Sequence, residues 1–181
     1  HDALPISRRL GKLGFNGVEL LGDPDLYQPQ EAAQILADQG LAVFSLTPMN
    51  VDLAHPDPAI RAEAMDYYLR LLDFGAAIGQ PLVCCHGDVG RIRAITVQDE
   101  EWALFVAAVR ELAERARTLD LRIVIEVLNR YESHLVCNAS EALAFVSDVG
   151  ADNVGILLDA YHMNIEEPDP AGALRTAADR L

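Results

Sequence analysis

The hydrophobic period of this 181-residue chain switches repeatedly, and that alternation limits its fold more than any single motif does. Five short runs, at 17–21, 41–46, 81–85, 121–128 and 153–159, are rich in Val, Ile and Leu. Most are apolar at successive positions rather than at every second one, which is how a parallel strand covered on both faces reads. Helical spacing fills the gaps. A helix is predicted over 31–39. A second starts at Asp57-Pro58, a cap followed by proline in the first turn, and runs through Met65, Leu69 and Leu72 until Gly79 stops it. A third carries Trp102, Phe105, Val106, Val109, Leu112, Ala113 and Ala116 as one apolar stripe, so Trp102 and Phe105 are read as core rather than as a ligand-binding pair. Asn138 and Glu141 have the spacing of a capping box for a helix ending by Gly150, and Asp169-Pro170 opens a last helix.

Repeated β–α units without a linker predict one domain over 1–181, built on a parallel sheet. Two architectures fit: an open doubly wound sheet and a (β/α)8 barrel. No glycine-rich phosphate loop is present, and a whole barrel takes roughly 250 residues, so this chain would supply part of a ring. Periodicity leaves both open. The chain starts without Met, and its first residues are read as a scar on a piece of a longer protein.

Composition narrows the function. With 51% hydrophobic residues the chain can bury a core, which sets disorder aside. Its 28 acidic against 14 basic side chains, a net charge of −14, repel the phosphate backbone and argue against a nucleic-acid partner. No apolar run approaches the roughly 18 residues of a membrane helix, so no membrane partner is expected. Cys84, Cys85 and Cys137, an odd count with two adjacent, suit buried thiols in a reducing cytoplasm. A zinc site on Cys84, Cys85 and His86 lacks a second ligand pair.

Glu126 interrupts an aliphatic run, and Asp159 ends another with His162 three residues later. A carboxylate in a strand buried on both faces is costly without a partner. Neighbouring parallel strands lie about 4.8 Å apart, close enough for both carboxylates to reach one point. A hard divalent cation such as Mg²⁺ or Mn²⁺ would offset their repulsion. A purely structural alternative pairs Glu126 with Arg122 or Arg130 and makes Asp159 a turn cap. Spacing alone leaves both open.

The pattern E-V-x-N-R-x-E from Glu126 to Glu132, then L-D-x-x-H-M-N-I-E-E from Leu158 to Glu167, resembles the xylose-isomerase-like TIM-barrel superfamily of sugar isomerases and epimerases. Within it the resemblance is to the D-tagatose/D-psicose 3-epimerase group. HPDPAIRAEAMDYYLRLLDFGAAIGQPLV is also similar to this family. The resemblance implies a partial barrel of about five βα units, spanning strands two to six of eight. It implies that Glu126 is both a metal ligand and a catalytic acid/base, and that Asp159 is a second metal ligand. Glu132 and His162 would bind substrate oxygens, with His162 polarising the carbonyl. His86, ending the strand as CCHG, would line the sugar pocket. The cofactor implied is Mn²⁺, with Mg²⁺ or Co²⁺ as alternatives, and the partner a small sugar in a cytoplasmic homo-oligomer. The remaining ligands and the second catalytic carboxylate would fall beyond Leu181, so residues 1–181 alone are expected to be inactive.

The reaction implied is ketose 3-epimerisation through an enediolate. A hydroxypyruvate isomerase and an inosose dehydratase of the same superfamily are the near alternatives. An endonuclease IV-like phosphodiesterase and a non-catalytic domain are remote ones. Glu19, at the end of its run, is a further pocket candidate; Asn129 and Arg130 are expected to order the loop after their strand. His55, His134, Glu166 and Glu167 are expected to face solvent.

Overall fold

The computed structural model describes residues 3–181; the initial His1 and Asp2, part of the supposed scar, lie outside them. Five strands, β1 (Gly17–Gly22), β2 (Ala42–Pro48), β3 (Leu82–Cys85), β4 (Ile123–Val127) and β5 (Val154–Leu158), form one sheet in sequence order, every neighbouring pair parallel. Helices α1 (Ala3–Lys12), α2 (Pro29–Ala37), α3 (Pro58–Ala77), α4 (Gln98–Thr118), α5 (Ala139–Val149), α6 (Ala160–Glu166) and α7 (Pro170–Ala177) alternate with them. Sequential strand order with a helix after each strand is the ring-forming arrangement; a doubly wound sheet would reverse direction at a switch point.

The helix boundaries follow from local chemistry. Asp57 accepts from the Ala59 N–H at 2.9 Å, and Pro58 occupies the first turn of α3. Asn138 accepts from the Glu141 N–H at 2.9 Å, while the Glu141 carboxylate reaches back to the Cys137 N–H at 2.7 Å, one residue earlier than a standard capping box. Gly150 closes α5 in the left-handed region at φ 72°, where a side chain is disfavoured.

Strand alternation sorts side chains onto two faces. Val83 and Cys85 of β3, Ile123, Ile125 and Val127 of β4, and Val154 and Ile156 of β5 pack beneath the helices with Leu71, Leu72, Phe105, Leu112 and Phe145. Each such side chain contributes roughly 1.5–3 kcal/mol on burial. Trp102 and Phe105 both pack on Phe145, with ring centroids 5.2 and 4.5 Å apart, Phe105 within the core and Trp102 half-buried at its edge. Leu82, Cys84 and His86, Val124 and Glu126, and Leu157 and Asp159 alternate onto the opposite, concave face. Cys84 and Cys85 therefore point to opposite faces and do not form a zinc pair; burial pushes both thiols up to about 12.

A bulge between Val18 and Glu19 leaves Phe44 without a register partner and sets Glu19 opposite Ser45. The Ser45 hydroxyl donates to Glu19 at 2.5 Å. Glu19 thus stands mid-strand rather than at the strand end expected from the sequence.

Candidate active site at the carboxyl ends of the strands

Glu126 is the fourth residue of β4 and is paired in register with Leu157. Two residues beyond Leu157, Asp159 leaves β5 on the same face and becomes the N-cap of α6, accepting from the Tyr161 N–H at 2.6 Å. His162 lies in the first turn of that helix, and the turn folds its ring back over the strand ends. Ligand atoms of Glu126, Asp159 and His162 all lie within 4.8 Å of one another. The structural reading of Asp159 as a cap holds, and the same carboxylate faces Glu126.

Among the described residues, no Lys or Arg reaches Glu126 or Asp159. Arg130 instead clamps Glu166, with its Nη2 2.5 Å from the carboxylate, and so does not pair with Glu126. The nearest basic group to Glu126 is His162 Nε2 at 3.9 Å. Burial, followed by the charges of Asp159, Glu19 and Glu132, raises the Glu126 carboxyl from 4.5 to about 7. Carboxylate oxygens thus converge at a half-buried point with no cationic side chain paired to them among the described residues. Two hard carboxylates suit Mg²⁺ or Mn²⁺ better than a thiolate-seeking ion. The donor set fits a divalent cation held by Glu126 and Asp159.

Glu132 and His86 border this cluster. Glu132 accepts from the Asn129 side-chain amide at 2.8 Å. His86 is 6% exposed, and its Nδ1 is buried with no hydrogen-bond partner among the described residues. Burial holds its pKa below the usual histidine value, the charges of Asp88 and Glu132 opposing.

Two expectations fail, and one buried carboxylate is unforeseen. His134 does not face solvent: its side chain is 7% exposed and lies between Asp88, 2.8 Å from Nδ1, and Glu101, 2.9 Å from Nε2. Glu166 and Glu167 do not form a solvated turn. Glu166 binds Arg130, and Glu167 accepts from the Ala139 N–H at 2.7 Å, so together they lock α6 to the β4–α5 connection and the start of α5. Glu101, to which the sequence assigns no role, is fully buried and joins Arg91, His134 and the Ile95 and Thr96 N–H groups. Asp52, Arg91, Glu101, His134 and Asp88 thus form a largely buried network that anchors the β3–α4 loop, and Gly90 of that loop donates to the Glu132 carbonyl at 2.8 Å.

This geometry accompanies a clear kinship. Residues 8–181 match the family model described as xylose isomerase-like TIM barrel. The chain belongs to that family. It is 31% identical over 191 residues to a D-psicose 3-epimerase of Agrobacterium fabrum, covering 98% of this chain and 64% of that protein. A ketose 3-epimerase of Arthrobacter globiformis is 33% identical over 177 residues, 93% of this chain and 60% of its own length. Among solved structures, D-psicose 3-epimerase from Clostridium cellulolyticum H10, crystallised with D-tagatose, superposes with a TM-score of 0.90 at 30% identity, covering 100% of this chain and 66% of that one. The chain therefore spans a little under two thirds of the length of its curated relatives, and the five-stranded sheet is TIM-barrel-like.

Proposed function

We propose that the protein carrying this chain is a divalent-cation-dependent ketose 3-epimerase. The observation that carries this reading is the convergence of Glu126, Asp159 and His162 at the strand ends. Relatives named for D-psicose, L-ribulose and ketose 3-epimerisation support the substrate class.

Epimerisation beside a ketone removes a weakly acidic C–H proton and leaves negative charge on the carbonyl oxygen. In this proposal Glu126 takes that proton, and His162 and Glu132 hold the oxygens flanking the carbon. A protonated carboxylic acid on the opposite face returns a proton and inverts the centre. Glu126 and Asp159 would hold the cation, of which Mn²⁺ is the proposed identity; when bound it supplies electrostatic stabilisation of the developing oxyanion. His86, with its unpartnered Nδ1 on the concave face, is proposed to bind a sugar hydroxyl.

The test is turnover by the whole protein with Mn²⁺ on D-fructose and D-psicose, with hydroxypyruvate and inosose in parallel. The expected result is interconversion at C3 of the ketoses, lost on addition of a chelator. Absence of C3 exchange, or preference for either alternative substrate, overturns the proposal.

A further inference from the structure

Asn129 is 1% exposed and lies three residues beyond Glu126, just past the end of β4. Its Oδ1 accepts from the Tyr131 N–H at 2.9 Å, which fixes which end of the amide faces which way. The Nδ2 end then lies 2.8 Å from Glu132 Oε1 and 2.8 Å from His162 Nδ1, one amide hydrogen for each acceptor. Flipping the amide would set its oxygen against a carboxylate and leave the Tyr131 N–H facing a donor. The Asn129 backbone N–H also points at His162 Nδ1, at 3.1 Å. Two donors converge on that ring nitrogen, so it presents its lone pair, and a neutral imidazole then carries its proton on Nε2. Nε2 is the nitrogen that faces Glu126. A proton there makes His162 a donor to a substrate oxygen and prevents it from acting as a third cation ligand, although its distance alone would allow that role.

We propose that Asn129 is a positioning residue that holds His162 as the Nε2–H tautomer and fixes the Glu132 carboxylate beside it, so that donor and acceptor meet the sugar together. The inference rests on the epimerase reading for its consequence, and on the hydrogen bonds alone for its geometry. Groups that orient residues contacting substrate or metal typically cost about 10- to 100-fold when altered.

Long-range ¹H–¹⁵N NMR of the imidazoles, on the whole protein without metal or sugar, reads the tautomer directly. The expected wild-type spectrum has the His162 proton on Nε2. Asn129→Asp keeps the shape but replaces both side-chain donors with an acceptor. It is expected to draw the proton to Nδ1 and lower turnover roughly 10- to 100-fold. A residue with a merely structural role would lower turnover without moving the imidazole proton. Asn129→Ser, too short to reach Glu132 and His162 together, is the second variant and is expected to lose turnover by the same factor. A wild-type proton on Nδ1, an unchanged imidazole spectrum in N129D, or wild-type turnover in either variant overturns the proposal. The spectra need no reaction, so a protein with the expected tautomer but no ketose turnover counts against the assigned reaction and not against the positioning.

Discussion

Replacing Glu126 with glutamine should make the metal-free protein more stable, and the gain should depend on pH. The native carboxyl titrates at about 7 instead of 4.5, chiefly through burial and the Asp159 charge, and its side chain is only 15% exposed. Between these two values the unfolded chain has released its proton while the native state retains it. Stability therefore falls as pH rises through that window, and the full cost is present above about 7. At ~1.36 kcal/mol for each unit between the two values, ionised Glu126 costs the metal-free fold about 3 kcal/mol. The glutamine amide has no charge to accommodate. Urea unfolding with a chelator present, followed by the fluorescence of Trp102, the single tryptophan, measures the difference. E126Q and wild type should coincide at about pH 4 and separate by about 3 kcal/mol at about pH 8, the variant being the more stable. Excess Mn²⁺ should reverse the order, because a cation that binds only the native wild type stabilises it by mass action. An E126Q protein no more stable than wild type at about pH 8 without metal would refute the idea that these carboxylates are held together at a cost.

The opposite sign is expected at Glu101. Burial there is outweighed by the Thr96 N–H, Arg91 and the Ile95 N–H, which together hold the carboxyl at about 2. Its contribution of about 3 kcal/mol is present above 4.5 and lost as pH falls towards 2. E101Q should therefore be destabilised at neutral pH, with the deficit in urea titrations shrinking on acidification; a deficit that does not change with pH counts against the argument. Gly87 leaves no room for a side chain, because a Cβ there would overlap the Phe105 ring, and that ring is held against Phe145. Gly87→Ala should cost roughly 1–3 kcal/mol, read as a lower thermal midpoint, and an unchanged midpoint would refute the packing argument.

Most of the fold is legible because its signals are local. All five strands coincide with aliphatic runs, and α3, α5 and α7 begin at the caps Asp57, Asn138 and Asp169. Glu126 and Asp159 stand out because a carboxylate in an aliphatic strand is conspicuous. The errors fall where the deciding partner is distant in sequence. His134 looks solvent-facing because Asp88 and Glu101, 46 and 33 residues away, give no local sign that they will enclose it. Glu101 sits in an acidic helix start whose charges suit the dipole, and nothing nearby marks it as buried. Helix α6 escapes notice because seven residues give too few periods to read, and the first helix, α1, is hidden by the assumption of a scar. The sequence suggests for Asn129 only the ordering of a loop; its hold on His162 depends on the fold bringing residues 33 positions apart together.

Asp159 serves two masters with one carboxylate. Oδ1 accepts from the Tyr161 N–H that begins α6, and the same carboxylate faces Glu126. A tug on Asp159 from the ion would be passed through the helix start to the histidine one turn on. In the proposed epimerase, ions of different radius would accordingly set His162 at different reach. The two duties can still be separated, because in Asp159→Asn the amide oxygen keeps the Tyr161 N–H while the loss of charge weakens the hold on an ion.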